Sequence, residues 1–342
     1  MGETFPMKGG DGAHSYAKNS QYQKKASDSV KGMLEEAVIE SLQRESMSGT
    51  VAIADLGCSV GPNTFFSVQN LMDAVQKKWP SETLEFQVFF NDNFGNDFNA
   101  LFAALPPERG YHAAGVAGSF HGRLFPRNSI TVVHSSHALH WLSKQPQGVP
   151  NEGRIHYVGA PDEVVRAYSD RFKEDFKSFI VTRAAEVVRG GVMLLILPAT
   201  REGVPTANYP AGFLFSYLGQ TLMDLANEGV VDKGKIDGFN LPIYVPSAGE
   251  VRKMIEKNGC FTIEKMELTK PRGSDDGPID VPELIMHLRG GMQEICALQF
   301  GDYAVEKMFD KMSEKRQHMS EFMQSNYRRE DGTQLFLVLK RK

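Results

Sequence analysis

The segment Val51 to Thr64, VAIADLGCSVGPNT, constrains this chain more than any other. A run of β-forming residues ends in Asp55, Gly57 and Gly61 bracket a tight turn, and Pro62 stands where a helix would begin. That order predicts a strand, a glycine turn and a helix. Glycine in such a turn lets backbone approach a ligand closely, the helix N-terminus offers free N–H groups, and an acid at the strand end accepts hydrogen bonds. The turn reads Gly57, Cys58, Ser59, Val60, Gly61, so the dinucleotide fingerprint G-x-G-x-x-G is absent. Binding of a nucleoside-type cofactor is the functional reading, and an ordinary βα turn the structural alternative.

Up to Pro198 strand and helix patterns alternate. After an arm from Met7 to Gln23, the pattern predicts a helix from Lys24 to Arg44, the strand into Asp55, a helix from Pro62 to about Trp79 and a strand from Leu84 to Phe90. Further strands are predicted at Gly115 to Phe120, Ile130 to His134 and Val192 to Leu197, with a long helix from Pro161 to Val188 closed by Gly190 and Gly191. Such alternation implies a mainly parallel sheet covered on both faces. Beyond Pro198 helical stretches dominate, at Pro210 to Glu228, Ser247 to Asn258 and Val281 to Met323, with strands at Phe261 to Leu268 and Leu335 to Leu339. The expected division is an arm and helix closing over the site (1–48), a cofactor-binding α/β core (49–200), a mainly helical cap (201–325) with interleaved core elements at about 240–270, and a closing strand (326–342). Pro271 to Pro282 is turn-rich and reads as a mobile surface loop.

At 342 residues and 41% hydrophobic content, one α/β domain with an added subdomain can bury a sizeable core. A net charge of −4 and a pI of about 6.2, without blocks of like charge, argue against a nucleic-acid partner and for a small ligand. Cys58, Cys260 and Cys296 lie far apart and cannot all pair, which fits a reducing compartment. The N-terminus lacks the basic and apolar regions of a secretory signal, and Pro6 sits where a myristoylation motif wants Ser or Thr. No apolar run approaches the roughly 18 residues of a membrane span. A cytoplasmic protein without a membrane partner is expected.

The second strand runs into NDNFGNDFNALF, which places Asp92 at a C-terminal strand edge, where an acid can take both hydroxyls of a ribose. A helix cap is the structural alternative, though Asn96 and Asp97 suit that role better. In VHSSHALHWLSK, His134, His137 and His140 recur every third residue, but no Glu supplies the H-E-x-x-H pattern of helical zinc sites. His134 reads as a core histidine within its strand, and His137 and His140, with Trp141, as a pocket wall. There is no G-x-S-x-G, and no cysteine has a local histidine partner; Cys58, at a helix N-terminus, reads as turn packing. A reaction that needs no protein nucleophile follows.

These segments together resemble the plant SABATH family of S-adenosylmethionine (SAM)-dependent methyltransferases. The resemblance is carried by MKGGDGAHSYAKNSQYQ, ADLGCSVGPNTF, FFNDNFGNDFNALF, GSFHGRLFPRNS, HSSHALHWLSK, GRIHY, FNLPIYVPS and the LVLKRK tail. It implies a class I methyltransferase Rossmann-like α/β sheet with a final antiparallel hairpin under an α-helical cap, usually as a homodimer. It further implies cofactor contacts at Tyr16, Ser20, Asp55, Gly57, Asn63, Asp92, Asn93, Ser119 and Phe120, with Asn93 where the family commonly has Leu. Gln23 and Trp141 correspond to the pair that holds a substrate carboxylate, and His137, His140, Leu214, Phe215, Tyr244 and Leu288 to pocket positions, His137 standing where Tyr is frequent. A magnesium position of some family members falls at Asn151, Asp237, the Phe239 carbonyl and Asn240, which are hard oxygen donors.

A carboxylic acid is already ionised at neutral pH, so its methylation needs no general base, in keeping with the missing nucleophile. The expected product is the methyl ester of a small or medium acid, with aromatic benzoate or cinnamate types favoured. N-methylation of a xanthine-type purine, and carboxyl methylation of a terpenoid or hormone acid such as indole acetate, jasmonate or gibberellin, are the rivals within the family. An NAD-dependent dehydrogenase would want the missing fingerprint, and a non-catalytic ligand sensor differs only in turnover.

Overall fold

The computed structural model describes residues 7, 21–47, 49–271, 280–327 and 333–342. Tyr16 and Ser20, and positions 272–279 of the turn-rich loop, lie outside them. Helices α1 (Gln21–Asp28) and α2 (Lys31–Ser41) precede β1 (Thr50–Leu56), α3 (Pro62–Lys78), β2 (Glu85–Asp92), α4 (Phe98–Ala103), β3 (His112–Ala117) and β4 (Ile130–Ser136). The long α5 (Asp162–Glu186) runs into β5 (Val187–Pro198), followed by α6 (Pro210–Asn227), α7 (Lys233–Asp237), α8 (Ala248–Asn258) and β6 (Phe261–Thr269). Helices α9 (Val281–Phe300), α10 (Asp302–Glu314) and α11 (Arg316–Asn326) and strand β7 (Gln334–Arg341) complete the order.

The seven strands form one sheet, β3-β2-β1-β4-β5-β7-β6. The first five are parallel, and β7 inserts antiparallel between β5 and β6. Because successive strand side chains face opposite ways, Ile53 packs with Leu34, Val38, Val68 and Leu71 of α2 and α3, while Ala54 packs with Phe172, Phe176 and Phe179 of α5 on the other face. A third apolar cluster joins Leu214, Leu218 and Leu222 of α6 to Leu284, Leu288 and Ile295 of α9 and to Met308 and Met312 of α10. These residues recur at three- and four-residue steps, the stripe that lets helices pack into a cap. No helix among the described residues is long and apolar enough to cross a membrane.

Three boundaries differ from the sequence pattern for tertiary reasons. The helix expected from Lys24 to Arg44 breaks at Val30, because Gln334 of β7 donates to Ala26 O and Ser29 Oγ, each at 3.0 Å, and draws that turn onto the sheet. Gly190 and Gly191 belong to β5 rather than to the end of α5: Gly190 takes φ +74°, and a Cβ on Gly191 would lie 2.8 Å from Thr131 O in β4. Strand β3 begins at His112 and stops at Ala117, before Gly118, whose N–H turns to Asp92 O.

One buried ion pair fastens the loop after β3. Arg183 and Glu186 are both fully buried and meet at 2.7 Å. Glu186 Oε1 accepts from Arg123 Nε and from the backbone N–H groups of Leu124 and Phe125, while Arg183 donates to Phe120 O and Gly122 O. Burial pulls the guanidinium down to about 10, against the pull of Glu186, so it stays charged at neutral pH. Removing one member of such a pair strands the other charge. Glu186→Ala is expected to lower the unfolding free energy by about 3–5 kcal/mol in denaturant titration; a variant within about 0.5 kcal/mol of wild type would contradict this account of the loop.

Candidate active site

One edge of the site is built around the ends of three parallel strands. The carbonyl of Asn91, a fully buried residue of β2, accepts from Gly57 N at 2.9 Å and Cys58 N at 3.0 Å, which folds the turn after β1 against β2. Its side-chain Nδ2 donates to Val116 O at 2.7 Å and Gly118 O at 2.9 Å, which ties in the end of β3. Gly57 takes φ +79°, and a Cβ there would meet the Ala138 Cβ at 2.3 Å. Only glycine fits that close crossing. The next residue, Asp92, accepts from Ser59 N at 2.8 Å and Asn93 N at 2.7 Å. Burial raises its carboxyl to about 6, against those two N–H groups, and nearby Asp55 pushes in the same direction as burial. Ser59 Oγ is buried without a partner among the described residues.

A cavity of about 770 Å³ runs from this edge to the cap, lined by Asp92 and Phe120 at one end and by Gln23, Trp141 and Leu288 at the other. Gln23 comes from α1, Trp141 from the loop after β4, and Leu288 from α9. Trp141 is placed by cross-chain clamps: Tyr244 N donates to His140 O at 2.9 Å, Leu142 N to Pro242 O at 2.8 Å, and Trp141 bridges Ile243. His137 sits at φ +53°, held by its N–H on Ile196 O and by Ser136 Oγ at 3.0 Å from its Nδ1. Burial lowers His137 to about 4 and His140 to about 3, with neighbouring histidines adding to both, so both rings are neutral at pH 7. The cleft at the strand edge opens directly onto a pocket with N–H donors and no lysine or arginine among its described walls.

The family described as SAM dependent carboxyl methyltransferase matches residues 2–342. The chain belongs to that family. Loganic acid O-methyltransferase of Catharanthus roseus is 42% identical over 99% of this chain and 95% of its own length. Farnesoic acid carboxyl-O-methyltransferase of Arabidopsis thaliana is 39% identical over the full length of both. Among solved structures, loganic acid methyltransferase with SAH superposes with a TM-score of 0.94 at 41% identity, covering 98% of this chain and 99% of that one. The methyltransferase therefore uses SAM, and its sheet and cap are the class I architecture that the sequence resemblance implies.

Gly57, Asp92, Asn93, Ser119, Phe120, Gln23, His137, His140, Trp141 and Leu288 all line the cavity. Asn93 turns inward: its Nδ2 donates to Asp92 and its Oδ1 accepts from Gly95 N, so it braces the acid. Asp55 is engaged behind the edge, bonded by His134 Nδ1 at 2.7 Å and by Thr64 Oγ1. His134 is thus a core histidine in register with Asp55, and the three histidines of that segment do not converge. Asn63 borders a small separate cleft with Phe66 and His134. Leu214, Phe215 and Tyr244 do not line the cavity among the described residues: Leu214 packs in the cap, the Phe215 ring lies 4.4 Å from that of His156, and Tyr244 donates to Glu250. Apolar residues at helical spacing served the core, and position alone did not distinguish core from wall.

Sequence reasoning missed His287, Gly291 and Met292, which line the cavity from α9 beside Leu288. The signal was their helical spacing. The magnesium positions gather but do not suit a dication. Asp237 is held by Gly153 N at 2.7 Å and by the Lys233 ammonium, and Asn240 Oδ1 accepts from Asn151 Nδ2 at 3.1 Å. Among the described side-chain oxygens of this set Asn151 Oδ1 is buried without a partner, while the Lys233 ammonium already occupies the one carboxylate a dication would take as its charged ligand.

The Gly57 crossing separates two costs. Gly57→Ala is expected to destabilise the fold by more than about 1–2 kcal/mol, combining left-handed strain with the Ala138 contact. Adding Ala138→Gly removes the contact and leaves the strain, so the double variant should recover part of the loss in thermal denaturation; strictly additive losses would show that the crossing is not close in solution.

Proposed function

We propose that this methyltransferase esterifies a small or medium carboxylic acid, with Gln23 and Trp141 as the holders of the carboxylate and Asp92 as the acceptor of the SAM ribose. The observation that carries the reading is the cavity in which a half-buried acid at the strand edge and two N–H-bearing side chains under the cap face a common space. The orphaned Ser59 Oγ and the Cβ-free crossing at Gly57 support a nucleoside there. Bound SAM supplies an electrophilic sulfonium methyl. The residues of the chain do the rest by position: Gln23 and Trp141 donate N–H groups to the acid, and Phe120, Leu288 and Met292 strip its water. His137 and His140, neutral at working pH, place no cation beside the carboxylate, so its oxygen stays nucleophilic. No general base is required, because the acid arrives ionised.

The preference for a flat aromatic acid loses two of its supports with Phe215 and Tyr244 in the core. Phe120 and Trp141 remain, beside imidazoles that suit a hydroxylated acid equally well. The relatives named for loganic and farnesoic acids widen the class in the same direction. The screen that tests the reading pairs SAM with benzoates, cinnamates, indole acetate, jasmonate, gibberellin and terpenoid acids, and includes a xanthine. A second reading, methyl transfer to a purine, is favoured by His137 and His140 as partners for its carbonyls and by relatives named paraxanthine methyltransferase 2 and caffeine synthase 1, 34% and 35% identical. Homodimer formation follows from the family resemblance, and a cytoplasmic setting from the cysteine usage and the N-terminal sequence.

Two outcomes follow from the assigned roles. Asp92 must be ionised to accept the ribose hydroxyls strongly, and burial puts its carboxyl near 6. SAM affinity should therefore fall as pH drops through about 6, with proton release on binding below that pH, and Asp92→Ala should remove bonds worth roughly 1.5–3 kcal/mol each. Calorimetry in buffers of different ionisation enthalpy reads both; a pH-independent affinity between 5 and 7 would sink the ribose role. Trp141→Phe keeps the aromatic wall and deletes one donor, so kcat/KM on the acid should drop about tenfold or more while SAM affinity stays unchanged. A xanthine methylated while every acid is inert would transfer the assignment to the purine reading.

A further inference from the structure

Gln23 makes a contact that holding a carboxylate does not explain. Its Nε2 lies 3.0 Å from Nε2 of His287, while its Oε1 is buried with no partner among the described residues. Two arrangements satisfy such a contact. In one, the amide N–H donates to an imidazole whose proton sits on Nδ1, and the amide oxygen is left for the ligand. In the other, the amide is turned by half a rotation, the imidazole carries its proton on Nε2 and donates it to Oε1, and the NH2 group is released. Only the second leaves a donor for an anion. The first sets an oxygen lone pair against the carboxylate.

We propose, on the reading of Gln23 as a carboxylate holder, that His287 is its positioning residue: as an Nε2–H donor it fixes the amide with its NH2 group toward the acid, and so makes the pocket select a carboxylate over the corresponding carboxamide. A carboxylate offers acceptors at both oxygens, which matches donors from Gln23 and Trp141; a carboxamide presents an NH2 to one of them and leaves a donor facing a donor. The frame is built for such a role. Lys25, beside Gln23 on α1, pairs with Glu283 at 3.0 Å, one turn before His287 on α9. Gln334 of β7 bolts α1 to the sheet from the other side. The arm helix is thus held between sheet and cap, with the amide of Gln23 at the seam.

His287→Phe keeps a ring and removes the donor; His287→Asn restores an N–H on a shorter side chain. On an acid that the wild type methylates, His287→Phe is expected to lower kcat/KM about tenfold with SAM affinity unchanged, and His287→Asn to recover part of that loss. The ratio of acid to carboxamide binding, read by competition with the amide of the same acid, should collapse toward one in His287→Phe. In a Gln23→Ala background the same change should cost nothing further. An unchanged acid-to-amide ratio, or a full additional loss on top of Gln23→Ala, overturns the positioning role; should His287→Phe not fold, the ratio in His287→Asn and Gln23→Ala decides it, a selective Gln23→Ala being the overturning result. A wild type inert on every acid overturns the carboxylate reading and this proposal with it, whereas an active wild type with an indifferent His287 overturns the proposal alone.

Discussion

One buried asparagine holds the cofactor edge together. Through its carbonyl Asn91 receives the N–H groups of Gly57 and Cys58, and through its amide it reaches Val116 O and Gly118 O, so the ends of β1, β2 and β3 are joined at one residue. The geometry of everything downstream depends on it. With the turn folded against β2, Ser59 N reaches Asp92, the acid is aimed along the strand end, and the backbone crosses Ala138 so closely that Gly57 has no substitute. A buried polar junction of this kind is costly unless its groups are paired; four of its bonds are made at once, and Asn91 Oδ1 alone of that residue's polar side-chain atoms is left without a partner among the described residues.

The same economy of position appears in the loop that carries Ser119 and Phe120. Irregular backbone between β3 and β4 would be mobile on the surface, yet here its carbonyls and N–H groups are received by Arg183 and Glu186 from the end of α5. A buried ion pair contributes little net stability by itself, because desolvating both charges offsets their attraction. Its value lies in orientation: a guanidinium with several donors and a carboxylate with several acceptor sites fix a loop more tightly than apolar contacts can. The loop that lines this side of the cavity is thus tied to the end of α5 through its backbone.

What was legible in the sequence is what is local. The strand, glycine turn and helix from Val51 to Lys78, the place of Asp92 at the end of β2, and the wall formed by His137, His140 and Trp141 are each encoded within one continuous stretch by patterning and turn chemistry. What was not legible is what arises between distant segments. Nothing near Ser29 announces that Gln334 will break the first helix, and nothing near Gln23 points to His287, 264 residues away. Phe215 and Tyr244 failed differently: a family position and a core position look alike in sequence, and the aromatic stack with His156, Tyr157 and Phe172 decided for the core. Gly190 and Gly191 carried a true signal of unusual backbone, but it marked an irregularity within β5 and not the end of a helix.

The distribution of charge around the cavity follows from the chemistry assigned to it. The sheet edge and the helix behind it are rich in acids, yet almost all are spoken for: Asp55 by His134 and Thr64, Asp175 by Arg171 and both the N–H and hydroxyl of Ser143, Glu186 by Arg183. Asp92, braced by Ser59 N and Asn93, is the one of these acids that also lines the cavity, on the side where a ribose would need an acceptor. At the other end the described walls offer amide, indole and uncharged imidazole groups. A lysine or arginine there would bind a carboxylate more tightly, but it would stabilise the anion most in the ground state, before charge is lost to the incoming methyl, and so raise the barrier. An unpaired acid would repel the substrate outright. On the proposed reading, neutral donors would hold the anion in place while leaving it reactive, and a neutral donor has no charge to orient it. Its direction must come from a neighbour, which is why the seam between α1 and α9, with Gln23 against His287, matters as much as the donors themselves.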